Sequence, residues 1–224
     1  MLGEQGAEMG LWRVWDQRPT SRYVENLAAR PVWNRESGTS EEVEAIREFL
    51  EEEVYPVARR EYNEAARAAR ANKEKGGGGR IALGVPEKEG LNPTGSWTEV
   101  VLLAHSSPLN PPEFPETLSL LLTLPSVFAS KLSTVSPATT ILPHTGPTNA
   151  RLRSHLCLLS STSPSPPSLT VSDATVFWTE GEAVVFDDSF VHSVEYGEEE
   201  GGERVVLIVD FWHPELEEKD RFFQ

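Results

Sequence analysis

Apolar positions recur at helical spacing in the first half of the chain, where Val43, Ile46, Leu50, Val54 and Val57 fall three or four residues apart and Phe49 adjoins the same stripe. That spacing predicts an amphipathic helical region over 40–73 with one buried stripe. Ser40 ahead of Glu41 and Glu42 supplies an N-cap and an acidic first turn, and Arg59, Arg60, Arg67 and Arg70 place cations toward the other end, as the helix dipole favours. Pro56 lacks the N–H an interior turn needs, so it predicts a kink or a division into two helices. The remaining charges there read as a solvated face.

From Trp97 the pattern changes. Short β-branched and apolar runs at 97–103, 139–142, 152–159, 169–177, 183–186 and 205–211 are separated by turn residues and predict strands. A short helix is predicted at 116–122. Gly76 to Gly79 read as a flexible break, the Ser/Pro-rich stretch 161–170 as a loop, and the polar stretch 197–203 as a hairpin tip. Helices first and strands afterwards give a mainly β fold, a single β-sandwich or jelly roll with flanking N-terminal helices.

Length and charge narrow the function. A chain of 224 residues can bury roughly 70% of its unfolded surface as an ordinary domain, without disulfide staples. With 20 Lys+Arg against 35 Asp+Glu the formal charge is −15, which argues against a nucleic-acid binder, whose phosphate partners demand a basic face. One cysteine, Cys157, allows no internal disulfide and no multi-cysteine zinc site, and it points to a reducing, cytoplasmic setting. The first residues lack a signal-peptide pattern, and no run approaches a membrane span. Yet residues 117–172 contain no Asp or Glu while holding Lys131, Arg151 and Arg153. An acid-free basic island suits a bound anion, because a nearby carboxylate would compete for the guanidinium. The plainer reading is apolar β core with arginines reaching solvent.

Five histidines are candidates for chemistry. His144 follows one β run within Leu-Pro-His-Thr-Gly-Pro, and His192 opens another after Asp187 and Asp188. Two histidines about fifty residues apart on strands of a small jelly roll suit an iron site with open positions. The usual facial triad adds a carboxylate two residues after the first histidine, and here that residue is Gly146. His213-Pro-Glu215 matches the His-x-acid pattern but no histidine follows, so His213 reads as structural. A zinc hydrolase using His144, His155 and His192, and a non-catalytic jelly-roll binding module, remain alternatives.

Four ordered blocks carry a resemblance: Leu142 to Leu156, Trp178 to Glu182, Phe186 to His192 and Arg204 to Leu216. They closely resemble the catalytic domain of the aspartyl/asparaginyl β-hydroxylases, and weaker similarity through Leu27–Trp33, Gly95–Trp97 and Lys131–Ser133 extends it over residues 24–216. On that basis 1–23 is an N-terminal extension and 217–224 a tail. The resemblance implies a double-stranded β-helix of cupin-like type and an Fe(II)- and 2-oxoglutarate-dependent dioxygenase that uses O2. It also implies two histidines on the metal, with glycine where the carboxylate would stand. Carried over residue by residue, His144 and His192 hold the metal, Asp188 lies near the metal-bound water, and Ser133, Arg153, His155 and Arg204 hold 2-oxoglutarate. Trp97, Lys131 and Arg151 fall in or beside the cosubstrate and substrate pocket. The implied substrate is the β-carbon of Asp or Asn in a peptide or protein, with a free amino acid or a lipid acyl chain as the small-molecule alternative.

Overall fold

The structure, a computed structural model, describes residues 16–74, 84–87, 90–161, 165–197 and 201–221. Ser40 caps the first helix, its hydroxyl accepting from the Val43 amide at 3.3 Å, so α1 (Glu41–Phe49) begins where the sequence signals it. A π-helical turn over Leu50–Val54 follows, and α2 (Tyr55–Glu74) continues beyond it. Pro56 therefore sits in the first turn of a new helix, where its missing N–H costs little, and the break falls just ahead of it. The predicted short helix is α3 (Pro115–Leu121). Gly76–Gly79 lie outside the described residues.

The strands are β1 (Val32–Trp33), β2 (Val85–Pro86), β3 (Trp97–Ala104), β4 (Ser107–Pro108), β5 (Val127–Val135), β6 (Thr139–His144), β7 (Arg151–Leu159), β8 (Ser168–Val171), β9 (Ala174–Phe177), β10 (Ala183–Phe186), β11 (His192–Tyr196) and β12 (Arg204–Trp212). One sheet runs β1-β10-β7-β12-β5-β3-β2, with β4 on β3; the other runs β6-β11-β8-β9. Every pairing between these strands is antiparallel. From β5 to β12 the chain crosses repeatedly between the two sheets, which is the double-stranded β-helix, or jelly-roll, arrangement.

All nine residues of β12 are buried, because its two faces meet two different cores. Val205, Leu207, Val209 and Phe211 pack with Leu152, Leu156 and Leu158 against Val43, Ile46, Leu50 and Val54 of the helical layer. Val206 and Ile208 point the other way and pack with Ile141, Leu169, Val171 and Val194 between the sheets. Each such burial is worth about 1.5–3 kcal/mol, so the helices hold the back of the larger sheet and leave its front to the barrel interior.

Three sequence expectations change. The run 169–177 is two strands, β8 and β9, joined at Ser172 and Asp173, with Ser172 in the left-handed region at φ 54°. Ser168 to Thr170 belong to β8, so the Ser/Pro loop ends sooner than its composition implies. The strands that flank 197–203 do not form a hairpin, since β11 pairs with β6 and β8 whereas β12 pairs with β5 and β7; residues 198–200 themselves lie outside the described residues. Beyond these, β5 went unread as a strand because Ser130, Lys131, Ser133 and Thr134 dilute its apolar pattern.

Candidate active site

Strand alternation explains why charged residues gather inside the barrel. Lys131 and Ser133 on β5, Arg151, Arg153 and His155 on β7, and Arg204, Val206, Ile208 and Asp210 on β12 are each spaced by two, so each set shares the inner face of the larger sheet. Register then sets neighbours: Asp210 lies opposite Arg153, Ile208 opposite both His155 and Lys131, and Val206 opposite Ser133.

The two histidines come from the facing sheet. His144 ends β6, His192 opens β11, and the two are directly paired, with ring centroids 4.1 Å apart. Each Nδ1 meets the carbonyl of the residue two before it, Leu142 at 2.8 Å and Phe190 at 2.9 Å. A carbonyl only accepts, so both Nδ1 atoms carry a proton, which turns Nε2 into the ring nitrogen that can ligate. Burial, reinforced by the neighbouring His144, pushes the pKa of His192 down to about 4, which keeps its ring neutral and able to ligate.

Asp188 is engaged by arginines instead. It is fully buried, and burial alone would raise its pKa; Arg151 and Arg153 beside it overcome that and hold the carboxyl well below the usual range. Arg151 donates from Nε to Oδ1 at 3.1 Å and from Nη2 to Oδ2 at 2.5 Å, and Arg153 Nη1 lies 3.2 Å from Oδ2. Asp210 completes the group, taking Arg153 through two bonds of 2.7 and 2.8 Å and Arg151 Nη1 at 3.0 Å. The acid-free island is thus neutralised by acids from outside it. Two arginines and two aspartates form a compensated cluster.

Arg204 is the contrast. It is 1% exposed, its Nε and Nη1 have no hydrogen-bond partner, and it lies over the Trp178 ring at 4.6 Å. Burial draws its pKa down to about 10. An uncompensated buried charge costs several kcal/mol, so this guanidinium is where an incoming anion recovers most. His155, whose Nδ1 also lacks a partner, stacks on the same Trp178 with centroids 6.0 Å apart. Ser133 accepts from Trp97 Nε1 at 3.0 Å, which leaves its own O–H to donate. Lys131 is paired with Glu99 at 2.6 Å.

The histidines, Asp188, the three arginines and Ser133 line one cavity of about 590 Å³, in which every candidate site residue taken from the sequence meets, including Trp97, Lys131 and Arg151. Thr20, Glu87 and Leu91 add to its lining. Among the described residues no group of three His, Cys, Asp or Glu side chains converges to hold a metal, so His155 does not complete a three-histidine zinc set. His213 is buried and structural: its Nε2 donates to the Ala28 carbonyl at 3.1 Å and its ring meets Trp33 edge-on. Asp210, Trp178 and Thr20 are the residues that sequence reasoning left without a role. For Asp210 the signal was present, since counting by two from Arg204 reaches it.

Gly146 has its reason in space rather than in backbone angle. Its φ is outside the left-handed region, and its amide donates to the Asp188 carbonyl at 2.6 Å. A Cβ there would lie 2.5 Å from Asp188 Oδ1 and closer still to Cγ and Oδ2. The volume a triad carboxylate would fill is already held by Asp188.

The family model described as aspartyl/asparaginyl beta-hydroxylase matches residues 41–214. The human aspartyl/asparaginyl beta-hydroxylase is 32% identical over 206 residues, covering 88% of this chain and 24% of that relative. Human aspartate beta-hydroxylase domain-containing protein 2 is 36% identical over 143 residues, covering 60% of this chain and 38% of that relative. The chain thus spans well under half the length of either. AviO1 from Streptomyces viridochromogenes Tue57, a solved structure, aligns at 18% identity and a TM-score of 0.45 over 72% of this chain and 87% of its own. Since the family match spans most of the chain and takes in all three histidines, Asp188 and all three arginines that line the cavity, the chain belongs to the aspartyl/asparaginyl β-hydroxylase family.

Proposed function

We propose that this domain is an Fe(II)- and 2-oxoglutarate-dependent dioxygenase that hydroxylates the β-carbon of Asp or Asn in a peptide or protein. The observation that carries the reading is the pair of in-register histidines whose Nδ1 atoms are both fixed by carbonyls, leaving Nε2 of each to ligate, in the cavity that also holds a buried arginine whose Nε and Nη1 have no hydrogen-bond partner. Neutral imidazole nitrogens suit Fe(II), and a planar guanidinium suits a carboxylate. His144 and His192 would hold the metal. Arg204, with Ser133 donating beside it, would take the distal carboxylate of 2-oxoglutarate, while His155, Trp97 and Lys131 bound the same space. When bound, iron, 2-oxoglutarate and O2 supply oxidative decarboxylation to succinate and CO2 coupled to oxygen insertion into a C–H bond.

The chain's own residues do the rest. Asp188 keeps its charge because Arg151 and Arg153 compensate it, so it can accept a hydrogen bond from water beside the histidines without offering the metal a free carboxylate. The compensated cluster also adds no net charge to repel or over-attract a dicarboxylate, which leaves Arg204 to choose its orientation. Barrel walls of Ile141, Leu169, Val194 and Ile208 exclude bulk water and strengthen each of these contacts. A cytoplasmic setting rests on the lone Cys157, buried in the core.

Anaerobic titration with Fe(II) and then 2-oxoglutarate, followed by succinate release over a panel of Asp- and Asn-containing peptides and free amino acids, tests the reading. Peptide-dependent succinate that disappears in His144→Ala and His192→Ala is the expected result. No binding of either ligand by the native protein refutes it, and succinate coupled only to a small molecule refutes the peptide assignment.

A further inference from the structure

The segment Asp16–Arg22 lies ahead of the residues the family model matches, and it runs across the two stretches that present the histidines. On the His192 side, the Arg18 amide donates to the Ser189 carbonyl at 2.8 Å, the Val191 amide donates to the Asp16 carbonyl at 3.1 Å, and Gln17 Nε2 donates to Asp187 Oδ2 at 2.9 Å. On the His144 side, the Thr20 amide donates to the Gly146 carbonyl at 3.0 Å, and the Ser21 and Arg22 amides both reach the Pro147 carbonyl at 3.0 and 2.9 Å. Thr145 Oγ1 closes the arrangement by donating to the Arg18 carbonyl at 2.8 Å. Gln17 is 1% exposed, and Thr20 lines the cavity beside Gly146 and Pro147.

The consequence is geometric. His144 sits at the end of β6 and His192 at the start of β11, and the ladder shifts register between His192 and Val194. Just beyond the pair, 145–148 leave the sheet on one side and 187–191 enter it on the other, with the Gly146–Asp188 backbone bond at 2.6 Å between them. A single segment tied to both stretches fixes the separation of the two rings and closes the cavity wall next to them. We infer that Asp16–Arg22 is an integral wall of the active site, a positioning strap that sets the spacing of His144 and His192 and, through Thr20, bounds the space open to substrate. This rests on the proposed metal site, and it moves the start of the working unit from residue 24 to Asp16 or earlier.

The test uses the full chain loaded with Co(II), whose visible spectrum reports ligand geometry without turnover. Thr145→Val removes the hydroxyl bond to Arg18, and Thr20→Pro removes the amide bond to Gly146; Thr145→Ser keeps the hydroxyl. With far-UV circular dichroism unchanged, Thr145→Val and Thr20→Pro are expected to weaken Co(II) at least tenfold and alter its visible bands, while Thr145→Ser restores both. If Thr145→Val loses its fold, Gln17→Leu carries the same comparison. Affinity and spectrum equal to native in the folded variants overturn the strap. Failure of the native protein to bind Co(II) is a separate result: it overturns the metal site, and the strap with it.

Discussion

Gly146→Ala tests the fit of the site with a single methyl group. The new Cβ would stand 2.5 Å from Asp188 Oδ1, whereas ordinary contact begins at 3.4 Å, so the carboxylate must withdraw by roughly 1 Å in an interior that is already close-packed. It cannot do so freely, because Arg151 and Arg153 hold it through contacts of 2.5 to 3.2 Å. Net contributions of bonds to charged groups run at about 1.5–3 kcal/mol each, and parting a buried pair costs about 3–5 kcal/mol. Gly146→Ala should therefore destabilise the metal-free protein by about 3–5 kcal/mol, and in an Asp188→Ala background the same change should cost less than about 1 kcal/mol, since the obstacle is gone. Denaturant unfolding of the four proteins of this cycle measures the coupling. A cost below about 1 kcal/mol in the native background, or equal costs in both backgrounds, would refute the steric account. Gly146→Asp meets the same obstacle and adds a second negative charge beside Asp188, so it should lower turnover rather than create a useful third ligand.

Other outcomes follow from the same geometry. Arg204→Ala should weaken 2-oxoglutarate by about 1.5–3 kcal/mol, some tenfold to more than a hundredfold, with Fe(II) affinity little changed, and Arg204→Lys should recover only part because an ammonium lacks the planar fork; calorimetric titration of each ligand checks this. Trp178→Leu removes the ring face behind Arg204 and His155, and should raise the KM for 2-oxoglutarate by about tenfold or more at a smaller loss in kcat, a desolvated cation–π contact being worth about 2 kcal/mol. Burial pushes Asp187 up to about 7 against bonds from Ser189 and Gln17. The folded protein then keeps a proton that the unfolded chain loses near pH 4, so this group's stabilisation is complete below that pH and is lost as pH rises to 7, at up to about 1.4 kcal/mol per unit. Asp187→Asn should remove that component, and parallel pH dependences of unfolding for the two proteins would contradict it.

The amphipathic spacing from Val43 to Val57, the Ser40 cap and the apolar runs at 97–103, 152–159 and 205–211 determined helices, strands and the mainly β class, because period and capping are local properties. His144, His192, Arg153, His155 and Arg204 were legible because they fall in the ordered blocks that carry the family resemblance, which mark positions along the chain but not what lies across from them. Which charges meet was not legible. The acid-free island suggested free arginines, yet Arg151 and Arg153 are compensated by Asp188 and Asp210, and of the three arginines that line the cavity it is Arg204, outside the island, whose Nε and Nη1 lack hydrogen-bond partners. Pairing across strands depends on register between segments dozens of residues apart, and no local pattern encodes it. The same holds for Gly146, which in sequence marks only the missing triad carboxylate and in space is a matter of Asp188's volume. It holds most for Asp16–Arg22, which has no strand period and few apolar residues; its place beside the histidines comes from backbone hydrogen bonds, which every residue but proline can donate and which therefore leave no mark in the sequence.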